Sequence, residues 1–472
     1  MADELWRLSA VEQAALIRRR EVSVREVVAS CVERMRARNA DVNAVTRDTG
    51  DSALKTADAL DRMAKDTETE LPPLFGVPVT IKDNIDVAGQ STPNGLKDLD
   101  GIIAETDSPV TRNLKKAGGV IIGRTNAPEF SYRYFTDNPL FGLTKNPWHD
   151  DLTPGGSSGG ASAAAAMGFG PIHHGNDLGG SLRYPAYCCG LATIRPTLGR
   201  VPAYNGTNAE ERPPLITIMS VQGTIAREVR DVRLGTQVMA NRDPRDPWWV
   251  PAPWEGPAIA PPIRVALTRA PSGFDIHPHV TEALDKAAGL LAAAGYEIVE
   301  ADPPHVTDVQ QLWRDLIMTE TEMLSRPAVD RMGSEMIRNA IGDMSAISTL
   351  RDFEGYLRGM GERARVLRDW MLFLEDHPLV LSPLSLQPAF PQHADQKGPQ
   401  RMGEVMDAQI HMSNMNFLGL PAAVVSLGTW DGIPLGVQLV ASRYREDLCL
   451  DAAEAIERQV GLVVQELWDR EM

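Results

Sequence analysis

Short apolar runs alternate along the chain with longer stretches in which apolar residues recur every three or four positions. The short runs have the length and character of buried strands, and the periodic stretches have the pattern of amphipathic helices. Strands that alternate with helices in this way favour a mixed or parallel sheet covered by helices. We predict strands at Val77–Ile81, Val120–Gly123, Pro171–His174, Leu191–Arg195, Ile263–Leu267, Glu297–Glu300, Val380–Pro383, Asn416–Leu427 and Gly436–Val440.

Two helices carry their start signals in the sequence. Ser9 and Ser23 are each followed three positions later by a glutamate, Glu12 and Glu26, which makes a capping box at each N-terminus. Another predicted helix, Ala161–Met167, consists mostly of small residues and is able to pack tightly at the centre. We predict helices at Ser9–Arg20, Ser23–Arg38, Ala53–Met63, Ser108–Ala117, Ala161–Met167, Val280–Ala294 and Leu448–Val460, and a mostly helical region from Val306 to Trp370.

Composition and charge limit the class of partner. Of the 472 residues, 43% are hydrophobic and 23% are charged, as in ordinary globular proteins with a sizeable core. The net charge of −16 argues against nucleic acid and against anionic membranes, because both are bound through a basic face. No apolar run is long enough to span a membrane, and the N-terminus lacks the pattern of a signal peptide. The four cysteines show no CxxC spacing, so we expect reduced thiols in a cytoplasmic protein.

Two glycine-serine turns lie between Thr153 and Ala186, at Gly155–Gly160 and Gly175–Ser181. Glycine allows the backbone to approach another backbone or a ligand closely. Two such turns that contain hydroxyl groups suggest that serines and main-chain N–H groups converge there. Acyl transfer requires this combination, a nucleophile together with donors aimed at a developing oxyanion.

Ser181, which follows two glycines, is the candidate nucleophile. A serine after a glycine turn is equally typical of a helix N-cap. No histidine is placed to act as its base, because His173 and His174 belong to a strand and are interpreted as structural. No G-x-S-x-G elbow surrounds Ser181 either, so a Ser-His-Asp arrangement is disfavoured.

Lys82 is the alternative base, because it ends an apolar strand and desolvation lowers the pKa of a lysine. The competing interpretation is an ion pair between Lys82 and a neighbouring carboxylate, Asp83 or Asp86. Ser157 and Ser158 would relay a proton between base and nucleophile, and a flexible linker is the competing interpretation of their turn. A phosphate loop is disfavoured because no G-K-[ST] follows, and the histidines show no metal-binding spacing, so we expect neither a metal nor a cofactor.

Several long motifs then occur in a fixed order. On these motifs the chain resembles the amidase signature family, serine hydrolases with a Ser-cisSer-Lys triad, over nearly its whole length. The motifs are G-V-P-V-T-I-K-D-N at 76–84, G-R-T-N-A-P-E-F at 123–130, F-G-L-T-K-N-P-W at 141–148, T-P-G-G-S-S-G-G at 153–160, G-N-D-L-G-G-S-L-R-Y-P-A at 175–186, G-L-P-A-A-V-V-S-L-G at 419–428 and G-I-P-L-G-V-Q-L-V at 432–440.

The resemblance implies a fold and a division of the chain. The fold is a single large α/β domain over residues 1–472, with a central mixed, twisted sheet of about ten or eleven strands covered on both faces by helices. Residues 65–230 would form the signature core, and residues 306–400 would form a variable helical region that covers the substrate. The Pro-, Trp- and Asp-rich segment 241–262 is interpreted as a surface linker.

The resemblance also implies roles for individual residues. Ser181 would be the nucleophile, Lys82 the general base, and Ser157 the relay serine after a cis peptide bond from Gly156. The family usually has Thr or Ser where this chain has Asn176, which we expect to alter local hydrogen bonding without removing activity. The remaining roles are an oxyanion hole of the backbone N–H groups of Leu178, Gly179, Gly180 and Ser181, and hydrogen-bonded support from Ser158, Asp177 and Arg183.

These roles imply an amidase that cleaves a carboxamide or related C–N bond, such as an aryl amide, anilide or hydrazide, to a carboxylate and an amine. The alternative is the glutaminase-type A subunit of a tRNA-dependent amidotransferase, which shares the triad and needs partner subunits. A binding protein with a dead site is disfavoured by the intact triad. We expect a small-molecule amide as partner and a homodimer as the assembly. Tyr132, Tyr134, Phe135 and Trp313 are candidates to line the substrate pocket, with burial in the core as their alternative.

Overall fold

A single mixed sheet of eleven strands forms the centre of the molecule. The structure is a computed structural model that describes residues 2–65 and 70–470; the remaining positions, which the predicted ranges 1–472 and 65–230 include, lie outside the described residues. The strands are β1 Val45–Asp48, β2 Pro78–Lys82, β3 Val120–Thr125, β4 Ile172–Asp177, β5 Ala192–Arg195, β6 Val221–Ala226, β7 Arg264–Leu267, β8 Glu297–Glu300, β9 Leu379–Pro383, β10 Ala422–Trp430 and β11 Ile433–Ala441.

The strand order explains why distant parts of the chain meet. The order across the sheet is β1-β3-β2-β4-β6-β5-β10-β11-β9-β7-β8. β2 pairs in parallel with β3 and β4, and β7 pairs in parallel with β8 and β9, whereas the other pairs are antiparallel. The mixed sheet that the sequence predicts is therefore confirmed, and the carboxyl ends of β2 and β4 lie side by side.

Helices pack against this sheet on both faces. The capping boxes predicted at Ser9 and Ser23 are both present. The helices are α1 Ala10–Arg18, α2 Val24–Val42, α3 Gly50–Met63, α4 Pro109–Lys116, α5 Gly159–Ala166, α6 Arg183–Cys189, α7 Pro214–Met219, α8 Val229–Met239, α9 Pro278–Ala293, α10 Val306–Glu320, α11 Arg326–Met332, α12 Glu335–Ala346, α13 Phe353–Asp376, α14 Pro399–Asp407, α15 Ile410–Leu418, α16 Glu446–Val460 and α17 Val464–Asp469. None of the helices in residues 2–65 and 70–470 has the length and apolar character needed to cross a bilayer.

Strand β2 separates apolar from polar side chains on its two faces. Val79 and Ile81 join a core cluster that includes Leu114 of α4. Because side chains alternate along a strand, Thr80 and Lys82 point to the opposite face, which carries the small-residue helix α5. The sequence thus places one lysine under a helix that its neighbours do not contact.

Some predicted boundaries differ from the structure. The strand predicted at Asn416–Leu427 is wrong at its N-terminal end, because α15 continues to Leu418 and ends at Gly419, whose φ is +74°. Strands β1 and β6 escaped prediction because their sequences, V-T-R-D and V-Q-G-T-I-A, mix polar with apolar residues. The segment 241–262 contains neither helix nor strand. The range 306–400 is helical up to Asp376 and then contributes β9 to the sheet.

Candidate active site

Lys82 lies fully buried at the end of β2 and contacts three side-chain oxygen atoms. Its Nζ is 2.8 Å from Ser157 Oγ, 3.0 Å from Ser158 Oγ and 2.8 Å from Asn176 Oδ1. The two serines precede α5 and the asparagine belongs to β4, so parallel pairing of β2 with β4 brings the last contact into place. The lysine and the two relay candidates predicted from the sequence therefore meet.

The environment of Lys82 favours its neutral form. Burial lowers the pKa of Lys82 well below its usual value, and the carboxylate of Asp177 opposes this shift. The ion pair with Asp83 or Asp86 that the sequence left open is wrong, since no carboxylate of the described residues lies within ion-pair distance of Lys82 Nζ; Arg124 is the cation nearest Asp83, at 4.0 Å. A neutral amine in contact with hydroxyl groups is able to accept a proton from them.

The first glycine turn is built by close backbone packing. A Cβ at Gly156 would lie 2.5 Å from Arg133 O and 2.7 Å from Phe135 N, so no larger residue fits there. The Gly156–Ser157 peptide bond is cis, as the resemblance predicts. The flexible-linker interpretation is wrong, because Ser157 is only 1% exposed.

A second close approach holds the two turns against each other. A Cβ at Gly155 would lie 2.5 Å from Pro185 Cα, at the start of α6. A Cβ at Gly175 would lie 2.9 Å from Ser158 Oγ. Ser181 is 7% exposed and lies at the surface of a pocket, and in residues 2–65 and 70–470 its Oγ has no hydrogen-bond partner.

Asp177 holds the second turn in place. Its carboxylate accepts hydrogen bonds from the backbone N–H groups of Gly180, at 2.8 Å, and Leu182, at 3.3 Å, and from Arg183 Nε at 3.0 Å. Burial by itself raises the pKa of Asp177, but Arg183 and Arg195 outweigh it and hold the pKa below its usual value. The carboxylate therefore stays charged and able to accept these bonds, which suits the supporting role expected of Asp177 and Arg183.

Three backbone N–H groups of the second turn remain free. Those of Leu178, Gly179 and Ser181 have no acceptor among the described residues. The N–H of Gly180 is already donated to Asp177, so its part in an oxyanion hole stays a prediction. Three free donors beside a serine hydroxyl can stabilise negative charge on a carbonyl oxygen.

The two histidines of β4 are occupied by structural contacts. His173 Nδ1 lies 2.8 Å from Thr80 Oγ1, and His174 Nε2 lies 2.9 Å from Gln222 Oε1. Burial lowers the pKa of each to about 3, so both are neutral at ordinary pH. This agrees with their interpretation as structural residues.

An apolar pocket opens beside Ser181. It is narrow, about 60 Å³ in volume, and Arg133 is its charged lining residue. Tyr134 donates a hydrogen bond from its hydroxyl to Gly179 O at 2.9 Å, which fixes one wall against the second turn. The residues that line the pocket are Ser131, Tyr132, Arg133, Tyr134, Leu178, Gly179, Ser181, Trp313, Ile317, Met318, Met344 and Met406.

Phe135 does not line this pocket, and that part of the prediction is wrong. Its side chain is fully buried in the hydrophobic core, because the backbone turns inward where it passes Gly156. The other three aromatic candidates, Tyr132, Tyr134 and Trp313, do line the pocket.

Two contacts attach the cover, defined as residues 306–376 and 384–400, to the pocket wall. Glu129 accepts a hydrogen bond from the backbone N–H of Ser334 at 2.8 Å. Arg133 forms a buried, two-pronged ion pair with Asp395, at 2.6 and 3.0 Å. The cover is thereby fixed relative to Ser181.

Sequence reasoning missed some of the residues at the site. Asn84 bonds Asn176 at 3.0 Å, and strand alternation from Lys82 in the motif K-D-N could have placed it on the same side. Ile317 and Met406 come from distant helices, and their sequence context resembles that of any core residue, so no signal distinguished them.

A lysine that burial keeps neutral serves proton abstraction, and the serines and free N–H groups around it suit attack on a carbonyl carbon. The class of protein that this fold and site define is a hydrolase of amide C–N bonds. A family model described as Amidase matches residues 26–450, and the chain belongs to the amidase signature family.

Individual relatives agree with this class. An indoleacetamide hydrolase of Bradyrhizobium diazoefficiens is 48% identical over 467 residues, covering 98% of this chain and 89% of that protein. The homologous component of the glutamyl-tRNA(Gln) amidotransferase of Persephonella marina is more distant, at 29% identity over 96% of this chain and 97% of its own. Among solved structures, a bacterial aryl acylamidase of the amidase signature family has a TM-score of 0.82 at 26% identity, with 98% of each chain covered. The predicted fold and the predicted amidase class are confirmed.

Proposed function

We propose that this amidase hydrolyses the primary amide of an arylacetic acid, with indole-3-acetamide as the leading substrate, to the carboxylate and ammonia. The observation that carries the proposal is the apolar pocket beside Ser181, where Tyr132, Tyr134 and Trp313 offer aromatic surface. The relative at 48% identity that is named an indoleacetamide hydrolase supports the same class of substrate.

In the proposed acylation, neutral Lys82 takes a proton from Ser157, and Ser157 takes one from Ser181. Ser181 Oγ bonds to the amide carbon, and the carbonyl oxygen becomes an oxyanion held by the free N–H groups of the second turn. Loss of one donor to such an oxyanion typically lowers kcat by about 10²- to 10³-fold. The C–N bond then breaks, and the proton held by Lys82 returns through Ser157 to the nitrogen, so that ammonia leaves.

Deacylation repeats the same proton movements with water. Water attacks the acyl-enzyme carbonyl and gives one proton to the relay through Ser157 to Lys82. When the bond to Ser181 Oγ breaks, that proton returns to the serine and the carboxylic acid leaves as its carboxylate. Atoms and electrons balance without a further reactant.

The pocket wall also suits a flat, apolar acyl group. Met318, Met344 and Met406 line it, and methionine side chains adjust readily to the shape of a ring. Burial of apolar ring surface contributes about 25 cal/mol per Å². A primary amide adds only a small leaving group, which a narrow pocket tolerates.

The glutaminase-type subunit is the weaker candidate on chemical grounds. Glutamine carries an ammonium and a carboxylate, which require charged partners when buried. The guanidinium of Arg133, which lines the pocket, is already paired with Asp395. This wall therefore offers a glutamine carboxylate no unpaired cation.

The test is to supply the purified protein alone with indole-3-acetamide, phenylacetamide, an anilide and glutamine. Ammonia release is followed by a coupled glutamate dehydrogenase assay, and the acids are followed by chromatography. We expect the arylacetamides to be turned over with a kcat/KM at least 10-fold above that for glutamine. Glutamine turnover that appears only with added amidotransferase subunits would refute the proposal.

Ser181→Ala is the matched control for the chemistry, since it removes only the nucleophilic oxygen. We expect turnover of every amide in the panel to fall to background while the protein remains folded by circular dichroism. Turnover at the wild-type rate would exclude Ser181 as the nucleophile.

We further propose that the protein is a cytoplasmic homodimer that works without partner subunits. The lack of CxxC spacing among the four cysteines supports a reducing compartment. Light scattering coupled to size exclusion measures the assembly, and a monomeric mass would exclude the dimer. Fractionation of the producing cells tests the compartment.

A further inference from the structure

A line of hydrogen-bonded side chains runs from Lys82 to the pocket wall. Asn176 Nδ2 donates to Asn84 Oδ1 at 3.0 Å, and Asn84 Nδ2 donates to Ser131 Oγ at 3.0 Å. Ser131 Oγ in turn donates to Asn94 Oδ1 at 2.7 Å. Ser131 lines the pocket beside the nucleophile, so the line joins the lysine to the substrate site.

This line determines which way the Asn176 amide faces. Because its NH₂ group is donated to Asn84, its Oδ1 faces Lys82 Nζ at 2.8 Å and can only accept. Ser158 is committed in a similar way, since its Oγ donates to Asn176 O at 3.4 Å and is left to accept from the lysine. Both neighbours therefore take N–H groups from Lys82.

The hydrogen-bond count then leaves one role for Ser157. A neutral amine has two N–H bonds and one lone pair. With the two N–H bonds of Lys82 donated to Asn176 and Ser158, its lone pair faces the third neighbour, Ser157 Oγ at 2.8 Å. The reverse orientation of the amides would direct an N–H of Asn176 at that lone pair and block the base.

We propose that Asn176 is a positioning residue that keeps the lone pair of Lys82 on Ser157, and that the Asn84–Ser131–Asn94 line fixes its direction. The proposal rests on the role of Lys82 as general base under the proposed function. A threonine or serine hydroxyl at this position could donate or accept, whereas an asparagine held by Asn84 only accepts. The departure from the family pattern thus supplies a one-way acceptor.

The charged groups around Lys82 decide how the proposal is tested. The carboxylate that acts directly on its charge is Asp177, and it stays ionised. Burial raises the pKa of Asp83 to about 7, so Asp83 titrates in the same range in wild type and variants alike. The titratable and charged groups on the elements packed against Lys82 are Asp83, Asp86, Arg124, His173, His174, Asp177, Arg183 and Arg195.

The experiment measures how fast Ser181 is labelled by an alkyl fluorophosphonate as a function of pH, followed by intact mass. This readout needs no natural substrate, because the serine oxygen bonds to phosphorus as fluoride leaves. The key variant is Asn176→Asp, which keeps the size of the side chain and adds a carboxylate at the lysine. Asn339→Asp, exposed on α12, adds the same charge away from the site as a matched control.

We expect Asn176→Asp to move the acid limb of the labelling rate upward by about 1–3 pH units, because a nearby carboxylate stabilises the ammonium form. Asn339→Asp should leave the limb in place. Asn84→Ala and Ser131→Ala free the Asn176 amide and should lower the plateau roughly 2- to 10-fold, the value of one hydrogen bond, without moving the limb. Asn176→Thr should recover part of the plateau that Asn176→Leu loses.

Opposite results separate this proposal from the proposed function. If Asn176→Asp keeps the wild-type profile, or if Asn84→Ala and Ser131→Ala keep the wild-type plateau, the positioning role is wrong. If Lys82→Ala labels at the wild-type rate across the pH range, the general base itself is wrong and the proposed function loses its mechanism. Should Asn176→Asp fail to fold, Asn84→Ala and Ser131→Ala decide the proposal, since both leave the contacts of Lys82 unchanged in composition.

Discussion

Replacing Asp177 by asparagine should destabilise the fold and slow catalysis through the same set of contacts. The carboxylate lies 3.0 Å from Arg183 Nε and 3.6 Å from Arg195 Nη1, and all three side chains are fully buried. An asparagine of the same shape keeps one acceptor but removes the charge that balances both guanidinium groups. It also weakens the bond that holds the N–H of Gly180.

The size of the effect follows from burial. Removing one partner of a buried ion pair costs about 3–5 kcal/mol, since the remaining charge is left uncompensated. With an unfolding entropy of about 2.1 cal/mol/K per residue, a chain of this length loses about 1 kcal/mol per degree, so the Tm should fall by about 3–5 °C. We expect kcat to fall by roughly 10²-fold, at the lower end of the effect of losing an oxyanion donor.

The pH dependence of this effect has a defined sign. The native pKa of Asp177 is held below its ordinary value of 3.8, so its stabilisation is present above that value and is lost only as pH falls through the native pKa. The difference in Tm between wild type and Asp177→Asn should therefore be constant between about pH 6 and 9.

The assay combines differential scanning calorimetry with turnover of phenylacetamide below both melting transitions. Glu446→Gln is the control, because it breaks a buried pair with Arg200, at 2.8 Å, that does not contact the second turn. The control should lose stability and keep its kcat. If Asp177→Asn keeps the wild-type kcat, or if Glu446→Gln loses as much activity, the carboxylate does not act through the turn.

The other predictions concern the base, the pocket and the acid-base behaviour of the fold. Lys82→Ala should lower kcat at neutral pH and recover part of it as the pH of the assay is raised, because hydroxide replaces the missing base; a flat pH profile would contradict this. Trp313→Ala should lower kcat/KM for indole-3-acetamide by roughly 10-fold and that for acetamide by much less, since only the ring contacts the wall; equal losses would place the ring elsewhere. Burial raises the pKa of Glu457 from 4.5 to about 8, so the native state keeps a proton that the unfolded state has lost, and stability falls as pH rises between these values. Glu457→Gln should flatten that part of a Tm curve against pH, and an unchanged slope would show that Glu457 is not responsible.

The parts of the site that the sequence predicted are those where backbone requirements leave a mark in residue type. Glycine at 155 and 156 is required by contacts as short as 2.5 Å, and such contacts produce the dense glycine pattern of the first turn. The apolar run that ends in Lys82 is the direct sequence signature of a strand that buries its last side chain. Recognition of the family motifs then joined segments that spacing alone could not join.

The pocket could not be predicted in the same way, because contact with a substrate and contact with the core select the same apolar side chains. Phe135 and Tyr134 are neighbours of similar character, yet only Tyr134 lines the pocket. Met406 reaches the pocket from a helix that follows the last strand of the cover region, which no local pattern indicates. Likewise, the orientation of the Asn176 amide depends on Asn84, whose hydrogen bond exists only in the folded chain.

The attachment of the cover has a consequence for how such enzymes acquire new substrates. The catalytic stretch is locked by main-chain packing that tolerates no added carbon atom, whereas the cover meets the wall segment 129–134 through separable polar contacts. Specificity and chemistry are therefore inherited on different parts of the chain. A cover exchanged as one unit, provided that it brings equivalents of Ser334 and Asp395, would change the amide that is cleaved and leave the cleavage machinery untouched.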